Sequence, residues 1–521
     1  MSSRRDFIKA GAAVSVLAGG AGTAAADVPT HLWQGYDFGP GPRPGQRLNQ
    51  GPFGIEQDEG WYTILNTTAA RGPVRNFGMG LVGYTWEENG PALAAREGKQ
   101  TISDAVEQMA SLALTDVLYI RCDWRDVQTQ PGRLDKNPVW AATFDAARRH
   151  GLRVAFRIQL SNPEIQPARL ALPDFLQAKV PLVTIERKAG KPGPKRIEPR
   201  SDHPEFQKAF RELNELLARE LDGDPLLEFV DLMMFGFWGE GHVSDYASPF
   251  PDYLTAERTF VEMTRLQLEA WKKTPLAVNT QPDISGVGNH QVHDDAVRAG
   301  AWLRSDSIIL DEPIQIETLA NRPPWLAVIM EDGYYRHYRT DTPSFRTDAA
   351  GVDVIENTVS HCLDLGANYW SLWTEPENIA RYDAMHSRVF ADLRQRLGYR
   401  VRPSWIWQRK RYGTAELVVA FANDGVAGVP GILHVTVAAP DGRWSVAGGL
   451  DAGQPCGGRL RLASFLLPPG QDGQEVRMRA EIETNGVRRP VAWACAQPVN
   501  ADGSLSVRLK PHADANWRKG V

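Results

Sequence analysis

The sequence predicts a mixed α/β protein: a (β/α)8 TIM barrel followed by a C-terminal β-sandwich. Three observations carry that expectation. Between residues 77 and 400, short apolar strands alternate with amphipathic helices eight times over. The strands are apolar on both faces and rich in Val, Ile and Leu, as buried parallel strands are. After Pro403 the texture changes to short alternating segments punctuated by Gly, Pro, Asn and Asp, the pattern of an antiparallel sandwich. A doubly wound open sheet is the competing architecture, but no glycine-rich phosphate turn follows the first strand.

Taken in order, the chain opens with Arg4-Arg5, an Ala/Gly-rich apolar run to Leu17, and Ala24-Ala25-Ala26. This reads as a twin-arginine signal peptide over 1–26, with the twin-arginine translocase as a partner during export. The mature protein is then expected to be periplasmic or secreted. No later apolar run is long enough to span a bilayer, so no membrane is expected for the mature form. A Gly/Pro-rich leader (27–76) precedes the barrel (77–403) and the accessory sandwich (404–521). Barrel strands are expected at 78–86, 116–124, 152–160, 229–238, 275–281, 307–311, 326–331 and 367–373. Helices with apolar residues at 3–4 spacing fall at 101–114, 138–150, 204–221, 255–273, 291–300, 314–321, 353–365 and 384–397. The third connection, 161–203, is long and basic from Lys188 to Lys195, and would overhang the rim where barrel chemistry sits. Sandwich strands are expected at 415–422, 431–438, 459–466, 475–483, 490–496 and 504–509, with the basic run 408–411 as a solvated surface beside the linker.

Charge and cysteine content narrow the function. With 58 Lys+Arg against 63 Asp+Glu the net charge is −5, which argues against a dedicated nucleic-acid binder. Four cysteines are too few for a disulfide scaffold and match no metal spacing, although Cys456 and Cys495 could pair. His290 and His293 could ligate a metal, but they open a helix and read better as its solvated N-terminus. No cofactor or metal is expected.

The strand ends carry the chemistry. Sixteen Trp outnumber thirteen Tyr, and Trp86, Trp124, Trp238 and Trp373 map to the ends of four strands. Beside them stand Arg121, Arg157, Glu240, His242, Asn279, Glu331 and Glu375. Paired carboxylates with aromatic faces are what glycoside hydrolysis needs. Glu240 and Glu331 are the candidate catalytic pair, with Glu312 as a competitor for the second place. Arg121, Arg157, His242, Asn279, Glu375 and the four tryptophans are candidate contacts to a carbohydrate.

Glu240, Glu331, Arg121 and Trp373, with the phrases FGFWGEGH, DWRDVQTQPGRLD, HGLRVAFRI and LWTEPEN, resemble the clan A retaining glycoside hydrolases. They also look like exported bacterial β-galactosidase-like glycosidases. The resemblance covers about residues 60–400. It implies Glu240 as acid/base, Glu331 as nucleophile and Arg121 beside the nucleophile. It also implies an Asn before the acid/base, where this chain has Gly239; Asn279, His242 or Gln281 would have to substitute. Arg121 is expected to hold the Glu331 carboxyl low, and the Trp238 surroundings to push Glu240 up. A non-catalytic carbohydrate-binding barrel is the alternative, and metal-dependent hydrolysis a third reading.

Overall fold

The computed structural model describes residues 62–86, 98, 100–135, 137–188, 192–243, 245–280, 289–305, 313–332 and 354–511. Residues 1–26, where a signal peptide is expected, most of 27–76, Gln281 and Glu312 lie outside the described residues.

The first strand, β1 (Tyr62–Asn66), precedes the barrel. The barrel itself opens with β2 (Gly80–Trp86), β3 (Val117–Asp123) and β4 (Arg153–Gln159). An inserted hairpin, β5 (Leu182–Ile185) and β6 (Arg196–Pro199), interrupts it. Then follow β7 (Leu227–Asp231), β8 (Leu276–Asn279), β9 (Trp302–Ser305), β10 (Val328–Glu331) and β11 (Tyr369–Leu372). The eight barrel strands close in the order β10-β11-β2-β3-β4-β7-β8-β9, every pair parallel. The expected barrel is therefore present.

Local chemistry sets the helix limits. The helix Pro138–His150 starts where Asn137 accepts from the Val139 amide, has Pro at its first turn, and stops at Gly151 with φ 63°. The helix Pro204–Leu221 buries Phe206, Phe210, Leu213, Leu217 and Leu221, spaced three or four apart, on the face toward the barrel.

Two barrel strands differ from expectation. The fourth ends at Asp231 rather than residue 238. The apolar run Phe235–Phe237 continues past it as a turn, because Gly236, Gly239 and Gly241 all take positive φ. The sixth strand is Trp302–Ser305, and the 307–311 run lies outside the described residues. Its Arg304 is inward and paired, which hydrophobic patterning reads as a break.

Beyond the barrel come β12 (Val401–Arg411), β13 (Thr414–Asn423), β14 (Ile432–Ala438), β15 (Ser445–Gly449), β16 (Leu460–Leu466), β17 (Glu475–Thr484), β18 (Val487–Val491) and β19 (Leu505–Arg508). They form two antiparallel sheets, β1-β12-β13-β16 and β15-β14-β17-β18, with β19 on β17. The 408–411 run ends β12: Lys410 and Arg411 are exposed as expected, Gln408 is buried, and Arg409 and Arg411 both pair with Glu416 across the ladder. One hydrophobic cluster runs from inward barrel residues (Phe229, Trp302, Tyr369) into the sandwich core (Leu417, Phe421, Val435). Cys456 and Cys495 are both free, so the pairing the sequence allows is not made.

Candidate active site

Side chains alternate along a strand, so every second residue of a closed barrel points inward. At the C-terminal end these positions hold Tyr84, Tyr119, Arg121, Arg157, Asp231, Asn279, Arg304, Glu331 and Ser371, all buried. Arg304, fully buried, lies 3.0 Å from Asp231 Oδ2 and 2.9 Å from Glu331 Oε1. Its Nη2 also donates to the Tyr84 hydroxyl at 2.9 Å. Tyr84 donates in turn to Glu331 Oε1. Burial and the adjacent Glu331 carboxylate push the Tyr84 hydroxyl well above its ordinary value, which keeps it a donor at neutral pH. Tyr119 donates to Asp231 Oδ2 at 2.5 Å.

Glu240 reaches this cluster from the turn after β7. Its Oε1 accepts from Arg121 Nη1 at 3.0 Å and from Arg157 Nη2 at 2.7 Å, and His242 Nε2 lies 3.2 Å from its Oε2. Arg121 Nη1 is also 3.9 Å from Glu331 Oε1. The two carboxylates thus flank one guanidinium nitrogen, and those oxygens cannot be further apart than the two distances laid end to end. For this pair of oxygens that limit admits the ~5–5.5 Å retaining spacing.

Several expectations need correction here. Burial alone would push the Glu240 carboxyl up, but Arg157, His242 and Arg121 outweigh it and hold it below its ordinary value. β3 and β4 are neighbours in the barrel and place both guanidinium groups against it. Arg121 is nearer Glu240 than Glu331, and Arg304 is the closer cation to Glu331. Trp124 is no subsite wall. It begins a short helix, is fully buried, and packs edge-on against Phe206 and Phe210. Glu375 sits at the start of the helix Pro376–Met385, its Oε2 accepting from Asn378 at 2.7 Å and from Thr374 at 3.0 Å. Asn279 donates to the Glu240 carbonyl at 3.4 Å, a contact with the turn's backbone. The Trp86 side chain lies outside what the structure describes. Trp238 and Trp373 are half-buried near the mouth.

The turn explains Gly239. Its φ is +74°, and a Cβ there would lie 3.1 Å from the Ile158 carbonyl oxygen, so an Asn would be strained. Gly236 is tighter still, with 2.1 Å from its would-be Cβ to the His242 carbonyl oxygen. Trp238 takes φ 52°, a left-handed conformation that costs a bulky residue on the order of 1–3 kcal/mol.

The sequence marks Arg304 only as a rim arginine able to pair with an acid and Tyr84 only as part of a strand end, and it does not single out Tyr119, Asp231 or Glu198. Inward alternation along each strand was the available signal for the first four. Glu198, on β6, had none, because only the folded insertion buries it. It accepts from Ser161 Oγ at 2.5 Å. Burial pushes Glu198 from an ordinary 4.5 up to about 7, against opposing pulls from Ser161, Gln166, Arg196 and His242. A raised folded value means stability that is complete below pH 4.5 and lost as pH rises through about 7. Urea unfolding from pH 5 to 8.5 should therefore cost the parent about 3 kcal/mol more than Glu198→Gln, which does not titrate. Parallel pH curves for the two proteins would contradict this.

Among the described residues, no group of three or more His, Cys, Asp or Glu is placed to hold a metal ion. His293 Nε2 instead lies 2.9 Å from the Asn279 carbonyl oxygen. Among the described residues no helix is long and apolar enough to cross a membrane.

No family model matches the chain, and no curated protein matches it. Solved structures that it resembles include an exo-β-1,4-mannosidase from Opitutaceae bacterium strain TAV5, at 13% identity and TM-score 0.33 over 64% of this chain. The match spans 58% of the mannosidase, less than two thirds of its length. Endo-glycoceramidase II from Rhodococcus sp. is 13% identical, with 77% of this chain and 100% of that chain covered, at TM-score 0.35. A thermostable mutant of a xylanase from Cellvibrio japonicus is 12% identical over 57% of this chain and 86% of its own, at TM-score 0.35.

Proposed function

We propose that the protein is a retaining glycoside hydrolase acting on β-linked oligo- or polysaccharide, with Glu331 as nucleophile and Glu240 as acid/base. One observation carries the reading: two buried carboxylates, Glu240 and Glu331, share Arg121 at the mouth of the barrel. In the first step a Glu331 oxygen bonds to the anomeric carbon and the glycosidic C–O bond breaks. The departing oxygen takes its electron pair and a proton. That proton is held by the Glu240–His242 pair rather than by Glu240 alone, since the two arginines keep the isolated carboxylate ionised. In the second step water attacks the anomeric carbon, the ester to Glu331 breaks, and the pair takes up the proton from the water.

Trp238 Nε1 and Gln159 Oε1 are buried without a hydrogen-bond partner among the described residues, and sugar hydroxyls would satisfy both. Trp238 and Trp373 supply aromatic faces for the ring. The motif resemblance supports the β linkage. The Arg4-Arg5 pair and the Ala24–Ala26 site support export to the periplasm or beyond, which immunoblots of fractionated cells would check.

A panel of aryl β-glycosides, assayed with and without chelator, tests the reading. Hydrolysis that chelator leaves intact is expected. Tight sugar binding with no turnover would instead establish a binding protein, and loss of turnover with chelator a metal-dependent hydrolase.

A further inference from the structure

The insertion after β4 grips both ends of the segment that carries Glu240. At the far end, the Lys188 amide donates to the Asp245 carbonyl at 2.7 Å and the Ala247 amide to the Glu186 carbonyl at 2.9 Å. The Tyr246 hydroxyl donates to the Pro194 carbonyl at 2.9 Å, and the Arg187 guanidinium lies 5.5 Å from the centre of the Tyr246 ring. Ile185 of the hairpin also joins Phe237, Val243 and Tyr246 in one apolar cluster.

The near end, besides that apolar packing on Phe237, is held through Ser161. Ser161, two residues beyond β4, donates its hydroxyl to Glu198 Oε1 at 2.5 Å, and its carbonyl accepts from the Trp238 amide at 2.8 Å. Gln166 braces the pair. It donates to Ser161 Oγ at 3.2 Å while its own Oε1 accepts from the Ile197 amide at 2.6 Å. Glu198 is 1% exposed. Burying a carboxyl so completely costs stability, and its partners are the ones that fix Ser161. What Ser161 fixes is itself costly: the left-handed Trp238, two residues from Glu240, a conformation that persists only where the surroundings over-determine it.

We propose that Glu198 is a positioning residue which, through Ser161, latches the strained Phe237–Gly241 turn and so keeps Glu240 and His242 against the arginines of the barrel mouth. What the latch serves rests on the glycosidase reading; its existence does not. Glutamine at 198 can still accept from Ser161 Oγ, whereas alanine cannot.

The full chain is compared with Glu198→Ala, Glu198→Gln and Ser161→Ala by amide exchange over residues 236–242 and by kinetics on the best aryl β-glycoside. Glu198→Ala is expected to speed exchange in that segment about tenfold or more, and to lower kcat by a similar factor with KM changed less than about threefold. Glu198→Gln should restore both, a rescue that loss of mere bulk stability would not produce. If Glu198→Ala does not fold, Ser161→Ala, which removes one hydroxyl, should reproduce its expected effects. Unchanged exchange over 236–242 in the folded alanine variants overturns the latch, as does a glutamine variant as impaired as the alanine one. If exchange responds as expected while neither parent nor variant hydrolyses any glycoside, the latch stands and the glycosidase reading falls.

Discussion

Glu331→Gln is expected to lower kcat on an aryl β-glycoside by about 10³-fold or more. Glutamine keeps the shape and still accepts from Tyr84 and Arg304, so the loss would report on the missing attacking oxygen. Glu240→Gln should behave differently. With a leaving group acidic enough to depart unaided, the first step needs no proton. The variant should then show a burst of released phenol followed by slow turnover as the glycosyl-enzyme accumulates. The adduct should map to the peptide containing Glu331. The two arginines on Glu240 favour a second reading, in which Glu240 attacks and Glu331 protonates. An adduct on Glu240, with leaving-group sensitivity moved to the Glu331 variant, would establish it.

Arg304→Met is expected to destabilise the fold by about 3–5 kcal/mol. The guanidinium is fully buried and lies 3.0 Å from Asp231 and 2.9 Å from Glu331. Methionine fills much of the volume but leaves two carboxylates in the barrel interior without their shared cation. Breaking a buried pair costs more than the pair's net worth, because the charge left behind has no water to turn to. Urea denaturation of the parent and the variant gives the difference directly. A loss below about 1 kcal/mol would show that the two carboxylates do not depend on Arg304.

The barrel and the sandwich were legible because their signals are local. Asn137-Pro138 and Gly151 mark both ends of one helix within the sequence itself. Glu240, Glu331, Arg121 and Arg157 could be picked out as residues at strand ends, and the fold brings all four together. What was not legible depends on pairing across the chain. Nothing in residues 401–411 says that Tyr62–Asn66, from before the barrel, lies antiparallel to them. The low Glu240 carboxyl could not be read from its Trp and Gly neighbours, because its two arginines arrive from β3 and β4. Trp124 stands at a strand end in the sequence but not at the mouth, because the helix starting there carries the indole outward onto Phe206 and Phe210. Glu198 was invisible for the same reason as the latch: its burial exists only once the insertion has folded over the rim.

A double displacement by the two carboxylates at the barrel mouth would leave the released sugar in its original anomeric configuration. Proton NMR of the first product released from a β-glycoside tests it most directly. The β anomer should appear first, followed by slow mutarotation to the equilibrium mixture. The α anomer appearing first would mean single displacement by water and would contradict the account.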